Sequence, residues 1–152
     1  MPQAKPKIDV RIEAGRRKYS SVRLKRAAAY FLKKLKRPHA VLSVYLVDDR
    51  KIRVLNRKYL RHDRATDVIA FGQTDSVPLM VDRALAGDIV ISLETAERQA
   101  REYETDLNTE VLLYLCHGIL HLMGYRDKKK ADYRKMWAKQ RKLLAGMGIL
   151  LK

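Results

Sequence analysis

Between Glu110 and Arg126 the chain carries no charged residue, and this stretch contains two histidines, His117 and His121. Leu112, Leu113, Tyr114, Leu115, Ile119, Leu120, Leu122 and Met123 surround them, so a helix built here is apolar almost all round and has to run through a core. Residues four apart on a helix share a face, about one turn apart, so the two imidazoles stand side by side. A buried ring needs a partner. One reading is core packing with satisfied hydrogen bonds, and the other is a shared cation. Downstream, Gly124 suits a left-handed stop, which folds the chain back and brings Asp127 towards the same point. Three ligands would leave a fourth position for water.

Charge narrows what such a site can act on. The chain has 33 Lys and Arg against 17 Asp and Glu, a net charge of +16 over 152 residues. A field of that sign favours polyanions, nucleic acid above all. Length and apolar content predict a single domain over residues 1–152, built on one core. The segment before Tyr19 has no apolar stretch of the signal-peptide kind, and the uncharged run is too short to span a bilayer, so the expectation is a cytoplasmic protein without membrane contact. Cys116, the one cysteine, has no internal disulfide partner, as suits a reducing compartment, and reads as a buried inert thiol.

Periodicity gives the rest of the frame. Lys7 to Ile12 alternates as a strand, and Val22 to Lys36 is a basic amphipathic helix with Leu24, Ala28, Phe31, Leu32 and Leu35 inward, ended by Pro38. Val41 to Val47 is a strand, and Asp48 or Asp49 caps a helix to about Tyr59. Loop chemistry follows from Arg61 to Ala65. Strands at Asp67 to Phe71 and Asp88 to Ser92 flank a loop from Gly72 to Gly87. Glu94 to Tyr103 is helical, and Asn108 or Thr109 starts the histidine helix. The last helix, Lys130 to Leu144, turns Tyr133, Met136, Trp137, Leu143 and Leu144 inward and Lys130, Arg134, Lys135, Lys139, Arg141 and Lys142 outward. The fold expected is α+β, a small mixed four-stranded sheet packed with about five helices, with the metal site at the end of a buried one.

The run His117-Gly-Ile-Leu-His121-Leu-Met-Gly-Tyr125 closely resembles the signature of the YbeY family of bacterial rRNA maturation factors. Leu55-Asn56, Tyr59, Asp63, Thr66-Asp67-Val68, Phe71, Gly87 to Ser92 and Glu110 stand in that family's order, so the resemblance covers roughly Leu42 to Asp127. Two departures stand out. The family signature ends in Asp-His, where this chain has Arg126-Asp127, so aspartate replaces a third histidine ligand. Carboxylate oxygen also binds zinc, and Asp127 reads either as that ligand or as a solvated turn residue. The arginine that follows the aromatic of the preceding loop is Leu60 here, and Arg61 is the candidate to supply its charge.

The resemblance implies a zinc-dependent endoribonuclease, single-strand-specific, acting at the 3′ end of small-subunit rRNA and in ribosome quality control. It also implies one Zn2+ on His117, His121 and Asp127, and as partners RNA and the ribosomal small subunit with its associated proteins; no DNA specificity is expected. A zinc ion so held would acidify bound water or polarise a phosphoryl oxygen. His117 and His121 are then catalytic together with Arg61, which steadies a phosphate or is one more surface cation. Asp67 and Asp88 either orient ligands and accept protons or simply cap backbone. Tyr59, Tyr125 and Tyr133 are candidates for base stacking. Zincin proteases carry glutamate after the first histidine, and Gly118 in that place argues against peptide hydrolysis. The other function that fits is an RNA-binding ribosome-assembly factor whose metal site is structural or weakly catalytic.

Overall fold

A computed structural model of the protein describes residues 4–60, 67–72 and 85–151. Four strands form one mixed sheet. β1 (Lys7–Glu13) and β2 (Val41–Val47) pair in parallel, β2 pairs in parallel with β4 (Ala86–Ser92), and β3 (Val68–Gly72) closes the far edge antiparallel to β4. Five helices complete the chain: α1 (Ser21–Lys34), α2 (Asp49–Leu60), α3 (Leu93–Glu102), α4 (Leu107–Leu122) and α5 (Lys130–Ala145). The α+β architecture expected from periodicity is the one observed.

Strand alternation divides the sheet into two faces. Ile8, Leu42, Val44, Leu46, Ile89 and Ile91 point into the main core with the apolar sides of α1, α3, α4 and α5. Val47, Ile69 and Val90 point the other way and pack with Ile52 of α2 in a smaller core. α4 is the centre of the main core; Val111, Leu112, Leu115, Ile119 and Leu120 are buried along it. Burial pushes the Cys116 thiol up to about 12, so this cysteine is an inert core residue. No helix among the described residues is long and apolar enough to cross a membrane.

Two glycines let α4 lie close on the sheet. A Cβ on Gly118 would stand 3.0 Å from the Ile89 side chain, and one on Gly87 would stand 2.7 Å from Leu122 and 2.8 Å from the Phe71 carbonyl oxygen. Gly118 therefore faces the sheet. A glutamate there would be driven into β4 and away from the metal ligands, so the missing zincin glutamate is a packing requirement of this fold.

Several boundaries differ from the periodicity. α1 starts one residue early because the Ser20 hydroxyl accepts from the Arg23 amide at 3.1 Å. It stops at Lys34, before Pro38 can act, in a turn where Lys36 takes φ 57° and Arg37 N–H donates to the Leu32 carbonyl at 2.8 Å. Asp48 caps α2, its Oδ1 accepting from the Lys51 amide at 2.8 Å. Asp106 caps α4 in place of Asn108 or Thr109, accepting from the Thr109 amide at 2.7 Å. Gly72, Ala86 and Gly87 belong to strands, so the expected 72–87 loop is shorter at both ends, and residues 73–84 lie outside the described residues.

Candidate metal centre

α4 ends just past the histidines in a tight reversal. Gly124, at φ 97°, follows the C-cap Met123; its N–H donates to the His121 carbonyl at 3.0 Å, and the Tyr125 N–H donates to the Leu120 carbonyl at 3.0 Å. These two bonds make a Schellman turn, which needs a residue that adopts the left-handed region at low cost. The turn sends the chain back over the helix end and delivers Asp127 to the histidines.

There His117 Nε2 and His121 Nε2 stand 3.0 Å apart, and each is 3.4 Å from Asp127 Oδ2. The three side chains are 25%, 33% and 34% exposed, so they are sunk into the surface but reachable. The outer nitrogen of each ring is already engaged. His117 Nδ1–H donates to Gln140 Oε1 at 2.6 Å, and His121 Nδ1–H donates to the Tyr125 carbonyl at 3.0 Å. With Nδ1 protonated on both rings, both Nε2 atoms present lone pairs to each other and to a carboxylate oxygen. Three potential acceptors converge on one point, an arrangement that a cation satisfies. Ligand atoms around tetrahedral zinc, at bond lengths of about 2.0–2.1 Å, stand about 3.3 Å from one another. Edges of 3.0, 3.4 and 3.4 Å fit such a face, and His117, His121 and Asp127 are the one group of this kind among the described residues.

A small cleft opens beside the triad, lined by His117, Asp127, Asp67, Tyr133, Trp137 and Gln140, among others. Asp67 is thus on the wall of the site. Asp88 is not: it alternates with Ile89 and shares the parity of Val90, which puts it on the α2 side of the sheet, away from α4. Of the two readings offered for Asp88, orienting the ligands and bonding backbone, this placement agrees with the second. Arg61 and Asp63 lie outside the described residues, as does the side chain of Tyr59. Tyr133 was expected inward and is 53% exposed, because the first turn of α5 overhangs the cleft; Trp137 is half-buried. Tyr125 is packed against the core and serves the site through its carbonyl.

Gln140 escaped the sequence reading. Its signal was a polar residue in the stripe Met136, Gln140, Leu143, Leu144, where the other three are buried and the glutamine is only 3% exposed. A buried amide in an apolar stripe has a partner, and here that partner is a ligand ring.

Fold and site together define a mixed α+β domain in which two histidines and one carboxylate, a group that could hold a metal ion, meet at the C-terminal end of its central helix. The family model described as Endoribonuclease YbeY matches residues 9–148. The chain belongs to the YbeY family. It is 44% identical over 128 residues to the Endoribonuclease YbeY of Anaeromyxobacter dehalogenans, covering 84% of this chain and 65% of that relative. It is 37% identical over 126 residues to that of Aquifex aeolicus, covering 83% and 82%. The chain thus spans just under two thirds of the first relative and most of the second. The solution structure of TM1509 from Thermotoga maritima superposes with a TM-score of 0.60 at 27% identity, covering 92% of this chain and 91% of that one.

Proposed function

We propose that this protein is a zinc-dependent endoribonuclease of the cytoplasm, a single domain over residues 1–152 that cleaves single-stranded RNA in small-subunit rRNA maturation and ribosome quality control. The observation that carries the reading is the acceptor triad, His117, His121 and Asp127, in a chain of net charge +16. The names of the relatives and the helices' basic outer faces support it. Arg23, Lys25, Arg26, Lys33 and Lys34 on α1, and Lys130, Arg134, Lys135, Arg141 and Lys142 on α5, are exposed and suit a phosphate backbone.

His117, His121 and Asp127 would hold the ion, and two imidazoles with one carboxylate are donors that zinc accepts. When bound, zinc supplies Lewis acidity toward a phosphoryl oxygen and acidifies water. The chain does the rest. Gln140 and the Tyr125 carbonyl hold both rings in the tautomer that keeps Nε2 inward. Asp67, on the cleft wall, is assigned the proton of the attacking hydroxyl, and Arg61 the charge that builds on the phosphate.

The test is metal content of purified wild type and Asp127→Ala, with both assayed on single-stranded RNA. Near-stoichiometric zinc that falls in the variant along with cleavage supports the reading. Wild type that takes up no metal on zinc loading sinks it and leaves an RNA-binding assembly factor in its place.

A further inference from the structure

The cleft beside His117 continues outward. Asp67, Leu113, Tyr114, Tyr133 and Trp137 are shared with a wider groove of about 730 Å³ that runs past the α3–α4 turn. That volume is within the range of small-ligand sites, about 300–1,000 Å³.

Its lining is opposite in character to the rest of the surface. Asp67, Glu104, Asp106 and Glu110 line it, and no Lys, Arg or His does among the described residues, in a chain with 33 Lys and Arg. A phosphate is repelled there. The two most exposed aromatics among the described residues, Tyr103 at 61% and Tyr133 at 53%, stand on the same groove, with Trp137 shared by the groove and the cleft beside His117. Core packing accounts for neither tyrosine. Tyr103 stands on the turn that ends α3: Glu104 takes φ 55°, while the Thr105 N–H closes on the Ala100 carbonyl at 2.9 Å. This is the helix-ending turn that α1 also makes at Lys36, closing α3 with Glu104 in the left-handed position. Here it carries a carboxylate to the groove.

We propose that this groove is a base-binding subsite. It takes the base of the nucleotide next to the scissile phosphate, stacked on Trp137 and Tyr133, with Tyr103 at the outer edge. The carboxylates of Glu104 and Asp106 accept the exocyclic amino groups of adenine and cytosine, which uracil lacks. The backbone then follows the basic helices, and the base is drawn into the one acidic channel that leads from the metal ligands. This inference rests on the endoribonuclease reading. A basic peptide would also match the acidic lining, but the groove opens into the metal cleft and its shared wall is aromatic, which selects a nucleotide.

Trp137 is the only tryptophan in the chain and reports on the subsite without cleavage. Metal-free protein is titrated with five-nucleotide oligomers of A, C or U, following tryptophan emission, while labelled oligomers report binding by anisotropy. The A and C oligomers quench Trp137 and bind about tenfold more tightly than U; Glu104→Gln with Asp106→Asn brings that ratio near one, and asparagine keeps the α4 cap. Tyr103→Ala weakens the A oligomer about tenfold. Binding seen by anisotropy without quenching, equal affinity for U, or stronger quenching by an oligolysine peptide than by RNA overturns the subsite while leaving the nuclease reading intact. No anisotropy change with any RNA overturns both.

Discussion

Two polar clusters, one where β4 enters α3 and one at the C-terminal end of α4, look alike in being built around an aspartate and differ in chemistry. Around Ser92, Asp49 receives hydrogen bonds from the Ser92 hydroxyl (2.6 Å), the Thr95 hydroxyl and Arg98, while Arg17 donates to Glu97 (2.9 Å) and pairs with Glu94 (3.3 Å). Each of these acceptors meets a donor, so the cluster is complete as protein and ties α2 and α3 to the sheet. At the C-terminal end of α4, His117 Nε2, His121 Nε2 and Asp127 Oδ2 face one another. Counting donors against acceptors separates a cluster that holds the fold from one that could hold a cation, where residue types alone would not.

Removing a ligand breaks the contrast most sharply. Asp127→Ala lowers zinc affinity by more than about a hundredfold, the upper range of what a supporting residue costs, and abolishes RNA cleavage while leaving the metal-free protein folded. Equilibrium dialysis and circular dichroism read the two effects. Gln140→Leu is next: the ligand ring loses its orienting acceptor, and zinc affinity falls about ten- to a hundredfold without loss of stoichiometry at saturating metal. An unchanged affinity would mean that packing alone orients His117.

At the other cluster the effect is on stability. Asp49→Ala strands three donors and costs about 2 kcal/mol in urea unfolding, with zinc affinity unchanged. Burial tends to raise the Asp49 carboxyl, but hydrogen bonds from Ser92, Thr95 and Arg98 outweigh it and hold the group below its ordinary value. A folded pKa below the unfolded one contributes stability that is present above the unfolded value, near the ordinary 3.8, and lost as pH falls through the folded one. The stability difference between wild type and Asp49→Asn is therefore constant above about pH 5 and shrinks in acid. Gly124→Ala is the mildest case: it costs about 1 kcal/mol for the left-handed backbone and weakens zinc binding by shifting the Tyr125 carbonyl from His121. Differential unfolding with and without zinc separates the two parts.

Much of this was legible from residue pattern. The uncharged run with its histidine pair placed α4 in the core, and Gly124 with Asp127 located the carboxylate that meets the two rings, because a helix stop is a local property of four or five residues. Gly87 misled, since glycine reads as a loop breaker, yet here it is a strand residue made small by Leu122 from a helix thirty-odd positions away. Tyr133 followed the apolar stripe of α5 correctly in angle, but whether that stripe meets core or cleft depends on where the helix begins relative to α4. Gln140 and the opposite face of Asp88 are likewise long-range facts. Asp106 was passed over for Asn108 and Thr109, equally good caps by residue type, because hydrogen-bond geometry makes the choice.

Both ring ligands, the carboxylate and the carbonyl that orients one ring all come from residues 117 to 127. A chain that has lost its tertiary structure keeps these groups within a few residues of each other, so on the proposed reading it retains part of the affinity for zinc. Ligand linkage then divides the binding energy between folded and unfolded chains. Added zinc will raise the melting temperature by less than its affinity for the native protein implies.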